Sequence, residues 1–354
     1  MNIDEKLLKI PNIDSDYFNK LLKESLNGIR VYSVLMSSLE LGVFDALKVP
    51  KGIDELSKEL KCDKKLLLLL CKILCKLKLL SEVDGKFVNT KLSMELLTSD
   101  SFYSQKVFME CTRITVDLWM DLTNILKKGA IKRKPDKFFA EKVIHSLAQR
   151  SLLGEIQKTV EIVSGLQEFK KARRLLDLGG GHGLYAIAFA KLNPELEAYV
   201  FDLPPVVEKT KEYIEKFGCD RVKVIAGNFF NDDIGENYDI VFSSYNPGGK
   251  NPYLISKIYS SLNEGGIYIN KQVFRDDKEI SLLDLEWNLW NFEGIEKDIK
   301  IYTFKNDLSF KEYLNKLEEV GFKVQNVVHL DEEMGTKIII AKKVCKGSIE
   351  QIFF

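Results

Sequence analysis

The chain has 354 residues, room for about two domains of ordinary size, and 45% of them are hydrophobic, enough for each domain to bury a core. Lys+Arg and Asp+Glu balance at 52 each, which argues against bulk nucleic-acid or polyanion binding. The N-terminus does not read as a signal peptide, and the longest unbroken apolar run, Leu184–Ala190, is too short to cross a bilayer, so a cytoplasmic protein with no membrane partner is expected. Cysteines 62, 71, 75, 111, 219 and 345 show no C-x-x-C spacing. They read as reduced thiols of a packed interior, and no metal is expected.

In chain order, residues 18–48 place Leu22, Leu26, Ile29, Tyr32, Leu35, Met36 and Leu39 at helical spacing, then run into Gly42-Val-Phe-Asp-Ala-Leu47. Gly52–Leu60 reads as a short helix. Asp63 is placed to cap a helix over Lys64–Leu79, and Asp84-Gly85 supplies the tight turn of a hairpin over Ser81–Val88. Helix, helix, hairpin is the winged-helix pattern, which raises DNA binding as an alternative. The lysines at 61, 64, 65, 72, 76 and 78 lie among the polar positions of a helix filled with Leu and Cys, however, and a solvated face accounts for them. Residues 101–166 read as a run of long helices carrying Phe102, Phe108, Met109, Cys111, Trp119, Met120, Leu122 and Leu126, interrupted by a basic loop over Ala130–Pro135.

From Arg174 strands and helices alternate, the signature of a parallel sheet with crossovers. Leu175, Leu176 and Leu178 bracket Asp177, and Gly179-Gly180-Gly181-His182-Gly183 opens a helix bearing Tyr185, Ile187, Phe189 and Leu192. A second strand, Ala198–Phe201, delivers Asp202 at its end. Glycines let a ligand approach the backbone, and the helix start offers free N–H groups. A carboxylate about 20 residues further on is placed to accept hydrogen bonds from ribose hydroxyls. Asp177, two residues before the first glycine, would repel a pyrophosphate and suits a cationic amino-acid head. In this the motif resembles that of class I S-adenosylmethionine (SAM) methyltransferases.

Further strands are expected at Val222–Ile225, Tyr238–Ser243, Ile267–Asn270, Gly321–Val324 and Thr336–Ala341. Helices are expected at Pro205–Phe217, Tyr253–Leu262, Glu279–Phe292 and Phe310–Val320. Such sheets bind ligands beyond the carboxyl ends of their strands, where 177–183, 202, 227–230 and 243–250 all fall. The fold class is therefore α/β, with a doubly wound Rossmann-like domain behind a mainly helical winged-helix domain.

The whole order, from about residue 20 to 342, resembles the dimeric small-molecule O-methyltransferases that include plant caffeic-acid and bacterial antibiotic-pathway enzymes. The landmarks are Glu40–Leu47, Glu55–Leu60, Leu175–Gly183, Phe201–Pro204, Gly227–Phe230 and Glu264–Gly266. The resemblance implies a dimerisation domain over 1–100, a helical connector at 101–170 that contributes to the substrate pocket, a SAM-dependent domain at 171–345 and a tail at 346–354. It implies SAM as methyl donor, S-adenosylhomocysteine (SAH) as product and a homodimer acting on a small molecule. By that likeness Gly179, Gly181 and Gly183 would line the methionine end, Asp202 would hold the ribose, and Asn228 and Phe229 would contact adenine. Asp177, Leu203, Ser243 and Ser244 complete the expected cofactor contacts.

The departures concern the base. The family's histidine after strand four falls at Gly248, the lysine four residues before it at Ser244, and the acid that steers it at Gln272. The family's second acid falls at Asp307, which reads equally as a cap of the helix around Phe310. His145, His182 and His329 lie elsewhere. Methyl transfer from a sulfonium is an in-line displacement that needs a base only when the acceptor must lose a proton. An acceptor other than a phenol is expected: a thiolate, an amine, an acidic hydroxyl or an activated carbon. Tyr245-Asn246-Pro247 is reminiscent of the Asn-Pro-Pro-aromatic motif of amino-group methyltransferases, and is also a good turn. Tyr245, Asn246 and Asp307 are the candidate catalytic residues. Phe108, Trp119, Met120 and Trp287, with Asn288 and Asn291, are the candidate substrate wall, Trp287 and Trp290 sharing a helix face. A catalytically retired binder of SAM or SAH is the competing reading.

Overall fold

Period-two alternation in the second half of the chain builds one twisted sheet buried on both faces. The computed structural model describes residues 3–275, 279–331 and 334–344, and the chain divides into two units, Met1–Glu110 and Cys111–Phe354. In the second unit seven strands form the sheet: β1 (Arg174–Leu178), β2 (Glu197–Asp202), β3 (Val222–Ala226), β4 (Tyr238–Ser244), β5 (Leu262–Val273), β6 (Phe322–Asp331) and β7 (Thr336–Lys343). Their order is 3-2-1-4-5-7-6, with β7 antiparallel to both neighbours and the rest of the sheet parallel. The order reverses between β1 and β4, which opens a crevice at their carboxyl ends.

The alternation is visible strand by strand. Leu175 of β1 and Ile240 and Phe242 of β4 join one core with Ile156, Val160, Val163, Ile187 and Phe189. Leu176, Leu178 and Val241 join the other with Ile255, Ile258, Tyr313 and Leu317. The helices that cover the faces are α1 (Glu155–Ser164), α2 (Leu184–Leu192), α3 (Pro204–Phe217), α4 (Pro252–Ser261), α5 (Leu282–Asn288) and α6 (Phe310–Val320). Of the expected connector 101–170, the part from residue 111 belongs to this unit and places Ile156, Val160 and Val163 in its core.

The first unit has the winged-helix order. Helices Ile53–Glu59 and Lys64–Lys76 precede a hairpin of Leu80–Val83 and Lys86–Asn89, joined at its edge by Lys51–Gly52. Asp63 caps the second helix by accepting from the Leu66 N–H at 2.8 Å, and Asp84 and Gly85 both take the positive φ of the hairpin turn. Phe44, Leu47, Leu56, Leu67, Cys71, Leu74 and Phe87 pack as its core. The lysines at 61, 64, 65, 72, 76 and 78 all face solvent. The long helix Ser15–Glu40 buries Met36, Ser38 and Leu39 near its C-terminus and leaves Tyr17, Phe18, Leu21, Leu22, Leu26 and Ile29 exposed. Among the described residues no helix is long and apolar enough to cross a membrane.

Three expectations need correction. Residues 279–292 are not one amphipathic helix: α5 stops at Asn288, and Trp290–Phe292 is a strand parallel to Ile131–Arg133 in the stretch expected to be a basic loop. The Leu289 carbonyl accepts from the Ile131 N–H at 3.0 Å, so sheet pairing claims the group that a continued helix would use. Trp287 and Trp290 therefore share no helix face and meet edge to face instead, 5.5 Å between centroids. Residues 101–166 are broken into several helices, of which Lys106–Met120 is the long one, and β5 runs through the turn expected at 263–266.

Candidate active site

The glycine turn is fixed by β1 and β2 together. Gly179 N–H donates to the Phe201 carbonyl at 2.8 Å, and Gly181 N–H donates to Asp202 Oδ2 at 2.9 Å. The other Asp202 oxygen accepts from the Leu203 N–H at 2.7 Å. Gly180 has no room for a side chain, since a Cβ there would lie 2.5 Å from Asp177 Cγ. The carboxylate of Asp177 thus sits directly beneath the turn.

Asp177 is 1% exposed, and neither of its oxygens has a hydrogen-bond partner. Burial, then repulsion from Asp202, pushes its pKa up to about 8, while the Ala186 amide nearby opposes the shift without completing a bond. Asp202 is pushed up to about 6 by burial, against the pull of the Leu203 and Gly181 N–H groups. Two carboxylates thus share one buried crevice, and among the described residues no cation lies beside either. His182 does not supply one: its Nδ1 accepts from the Leu184 N–H at 3.1 Å, and burial drives its pKa down to about 4, leaving a neutral ring.

These groups line a cavity of about 440 Å³. One side is built from Asp177, the glycines, Asp202, Leu203, Asn228 and Phe229. Phe139, Ile144, Leu147, Phe292 and Ile295 make an apolar wall. Glu155, Tyr185, Ser244, Tyr245, Asn246 and Pro247 also line it. Behind the last group lies Lys271 of β5, fully buried, whose Nζ is 2.5 Å from Glu155 Oε1 and donates to the Tyr185 hydroxyl at 2.9 Å.

A family model of the O-methyltransferase domain matches residues 132–271, and one of the O-methyltransferase dimerisation domain matches 23–99. An uncharacterised protein of Methanocaldococcus jannaschii is 40% identical, over 93% of this chain and 91% of that one. The chain belongs to the SAM-dependent O-methyltransferase family. An N,N-dimethyltransferase of Streptomyces rimosus is 25% identical over 87% of this chain and 92% of its own length. The crystal structure of human N-acetylserotonin methyltransferase with SAM superposes with a TM-score of 0.69 at 22% identity, covering 95% of this chain and all of that one.

This member of the O-methyltransferase family is a methyltransferase that uses SAM, and the crevice fits the donor on its own chemistry. A buried carboxylate with both oxygens unpartnered, beside a glycine turn, is costly unless a cation meets it, and SAM carries an ammonium and a sulfonium. The cavity brings together Asp177, Gly179, Gly181, Asp202, Leu203, Asn228, Phe229 and Ser244. Gly183 and Ser243 stand behind the lining, where Ser243 Oγ accepts from Asn246 Nδ2 at 2.8 Å.

Of the expected substrate wall, Trp119, Met120, Trp287, Asn288 and Asn291 do not line this cavity. Phe108 belongs to the first unit, Met120 is exposed, and Trp119 donates to Glu286 at 2.7 Å. Trp287 is buried off the cavity against Lys297, whose ammonium lies 3.7 Å from its ring centroid. Asn288 donates to the Asp284 and Ile299 carbonyls, and Asn291 accepts from the Phe292 N–H. Each of these polar side chains is spent on holding the segment around α5, which is why none reaches the cavity.

The candidate catalytic residues divide. Tyr245 lines the cavity with a left-handed backbone, φ 52°, and its hydroxyl bonds Thr336 Oγ1 at 3.2 Å. Burial and the charge of Glu155 raise its pKa, so it is held as a phenol and is not a base. Asn246 is used up by the turn: Nδ2 donates to the Leu178 carbonyl and Ser243, and Oδ1 accepts from the Gly248 N–H. Asp307 does not line the cavity. Its side chain is buried, accepts from the Phe304 N–H and pairs with the buried Lys250 at 3.6 Å. The place expected for the histidine is closed, since a Cβ on Gly248 would lie 2.1 Å from Leu254 Cδ1 and 2.9 Å from Phe229 Cε2. Glu155, Tyr185 and Lys271 were missed. The available signal was a lysine, Lys271, two residues past the apolar stretch Ile267-Tyr-Ile269 of a central strand.

Two outcomes are expected. Asp177 and Asp202 have folded pKa values raised above the unfolded ~3.9, so the stability they contribute is present below about pH 4 and lost as pH rises through about 6 and 8. A cationic ligand reverses this, so SAM affinity rises with pH between these limits and binding releases protons, measurable by calorimetry in buffers of different ionisation enthalpy. Asp177→Asn weakens SAM binding about 10- to 100-fold and flattens that pH dependence. Gly248→His restores no base: it costs about 1–3 kcal/mol by overpacking, read as a lower unfolding midpoint, with no gain in methyl transfer to catechol.

Proposed function

We propose that the chain moves the methyl group of SAM to a small acceptor with a planar or apolar body, without a histidine base, and that it works as a homodimer. The observation that carries the first part is the closure of position 248 by Leu254 and Phe229 beside a cavity that keeps its donor-side acids. Asp177 meets the ammonium end of SAM, Asp202 the ribose, and Asn228 and Phe229 the adenine. When bound, SAM supplies an electrophilic methyl on a good leaving group, so rate comes chiefly from holding the acceptor in line. Phe139, Ile144, Leu147, Phe292 and Ile295 shape that acceptor's place and exclude water. An N,N-dimethyltransferase among the relatives supports an acceptor that is not a phenol. The free Cys62, Cys71, Cys75 and Cys219 suit the reducing cytoplasm.

Dimerisation rests on the match of residues 23–99 and on the apolar face of helix Ser15–Glu40, where Tyr17, Phe18, Leu21, Leu22, Leu26 and Ile29 are exposed in the single chain. A face of that size is normally covered by a partner.

Purified protein incubated with methyl-labelled SAM and a metabolite extract of its source cells is expected to yield a labelled small molecule and SAH. Tight SAM binding with no transfer would instead identify a retired binder. Sedimentation equilibrium is expected to give twice the chain mass, and Leu22→Asp with Leu26→Asp to give the monomer; a monomeric parent at micromolar concentration would overturn the dimer.

A further inference from the structure

The cavity contains an ionic cluster that the donor does not account for. Glu155 opens α1 and lines the cavity with its side chain 37% exposed. Its Oε1 accepts from Lys271 Nζ at 2.5 Å and from the Tyr185 hydroxyl at 3.1 Å. No other described residue donates to its second oxygen, which is left to the cavity. Lys271 is fully buried and sits 4.7 Å from the Tyr245 ring centroid and 5.3 Å from that of Tyr185. A lysine deep in a sheet is costly and is retained only where it is paired. Here its partner is a carboxylate held by two donors on one oxygen, on a partly exposed side chain that lines the cavity.

The chemistry of that oxygen selects the acceptor. A carboxylate is a much weaker base than a phenolate, so carboxylates in general take the proton of a phenol poorly. A neutral amine needs no proton removed before it reacts, because its lone pair is free while its N–H is still in place. It becomes positively charged as the new bond forms, and a carboxylate hydrogen-bonded to that N–H stabilises the growing charge. Such an amine must be of low basicity to be neutral near pH 7, as on an aromatic ring, and the apolar wall of Phe139, Ile144 and Phe292 fits that body.

Resting on the methyl-transfer reading above, we propose that Glu155 is a catalytic residue whose free oxygen binds the N–H of an aromatic amine acceptor, with Lys271 and Tyr185 as positioning residues. The nitrogen lone pair forms the N–CH₃ bond as the C–S bond breaks and its electron pair goes to sulfur. The nitrogen, now cationic, gives its proton to Glu155, which passes it to solvent, and the products are the methylated amine and SAH.

The test uses the full chain, methyl-labelled SAM and the extract of source cells in two portions. One portion is untreated, and the other is first treated with formaldehyde and cyanoborohydride, which alkylate primary and secondary amines and leave hydroxyls and thiols intact. Transfer into the untreated extract that is lost in the treated one is the expected result. Transfer that survives treatment overturns the amine acceptor, while absence of transfer into either portion by SAM-binding protein overturns the methyl-transfer reading itself. Glu155→Gln, which keeps an oxygen for Lys271 and Tyr185, is expected to bind SAM within about threefold of the parent by calorimetry and to lose about 100-fold or more in transfer. Transfer within tenfold of the parent at unchanged SAM affinity overturns the role of Glu155.

Discussion

The carboxylate of Asp177, buried beneath the glycine turn with no partner, is the constraint around which the site is arranged. Its oxygens go unsatisfied: Gly180, directly above, has no space for a side chain, and the nearby Ala186 amide completes no bond. Asp202 sits nearby and makes the crevice still less hospitable to an uncompensated charge. A protein retains so unfavourable an arrangement where a ligand of opposite charge completes it. The reversal of strand order between β1 and β4 places that unfinished electrostatics at the carboxyl edge of the sheet, and the two apolar faces keep the edge rigid.

Away from the donor side, the site is organised by closure. Gly248 is wedged against Leu254 and Phe229, and Gly249 against Gln272, where a Cβ would fall 1.8 Å from the amide nitrogen. Asn246 ties this loop to β1, and Lys250 ties it to Asp307 and the Val273 carbonyl. The loop that would present a base is therefore a packed plug. The charged chemistry of the acceptor side comes from a different direction, from α1 and the end of β5.

What was legible in the sequence follows from how local each signal is. The glycine turn, Asp177 and Asp202 lie within one strand–turn–helix–strand unit, and their geometry is dictated by backbone rules that act over a few residues. The hairpin turn at Asp84-Gly85 and the Asp63 cap are of the same kind. Glu155 and Lys271 are 116 positions apart and meet only because β5 and α1 flank the same crevice. The tryptophans misled for a related reason. Their spacing suits a helix face, but the pairing of Trp290–Phe292 with Ile131–Arg133 is a tertiary event that spacing does not encode. Asp307 was ambiguous between site and cap, and its hydrogen bond from Phe304 with the Lys250 pair gives it work outside the cavity.

The two halves of the crevice are made of different material. On the Asp202 side the carboxylate is fixed by main-chain amides at Gly181 and Leu203, beside a turn in which added side chains have no place. On the Glu155 side the polar groups are side chains on separate elements, each replaceable without moving the backbone. Substitution over evolutionary time therefore has unequal reach across this one cavity: the backbone half resists drift, and the side-chain half is free to be rewritten. A lineage built on this scaffold inherits its donor and reinvents its acceptor.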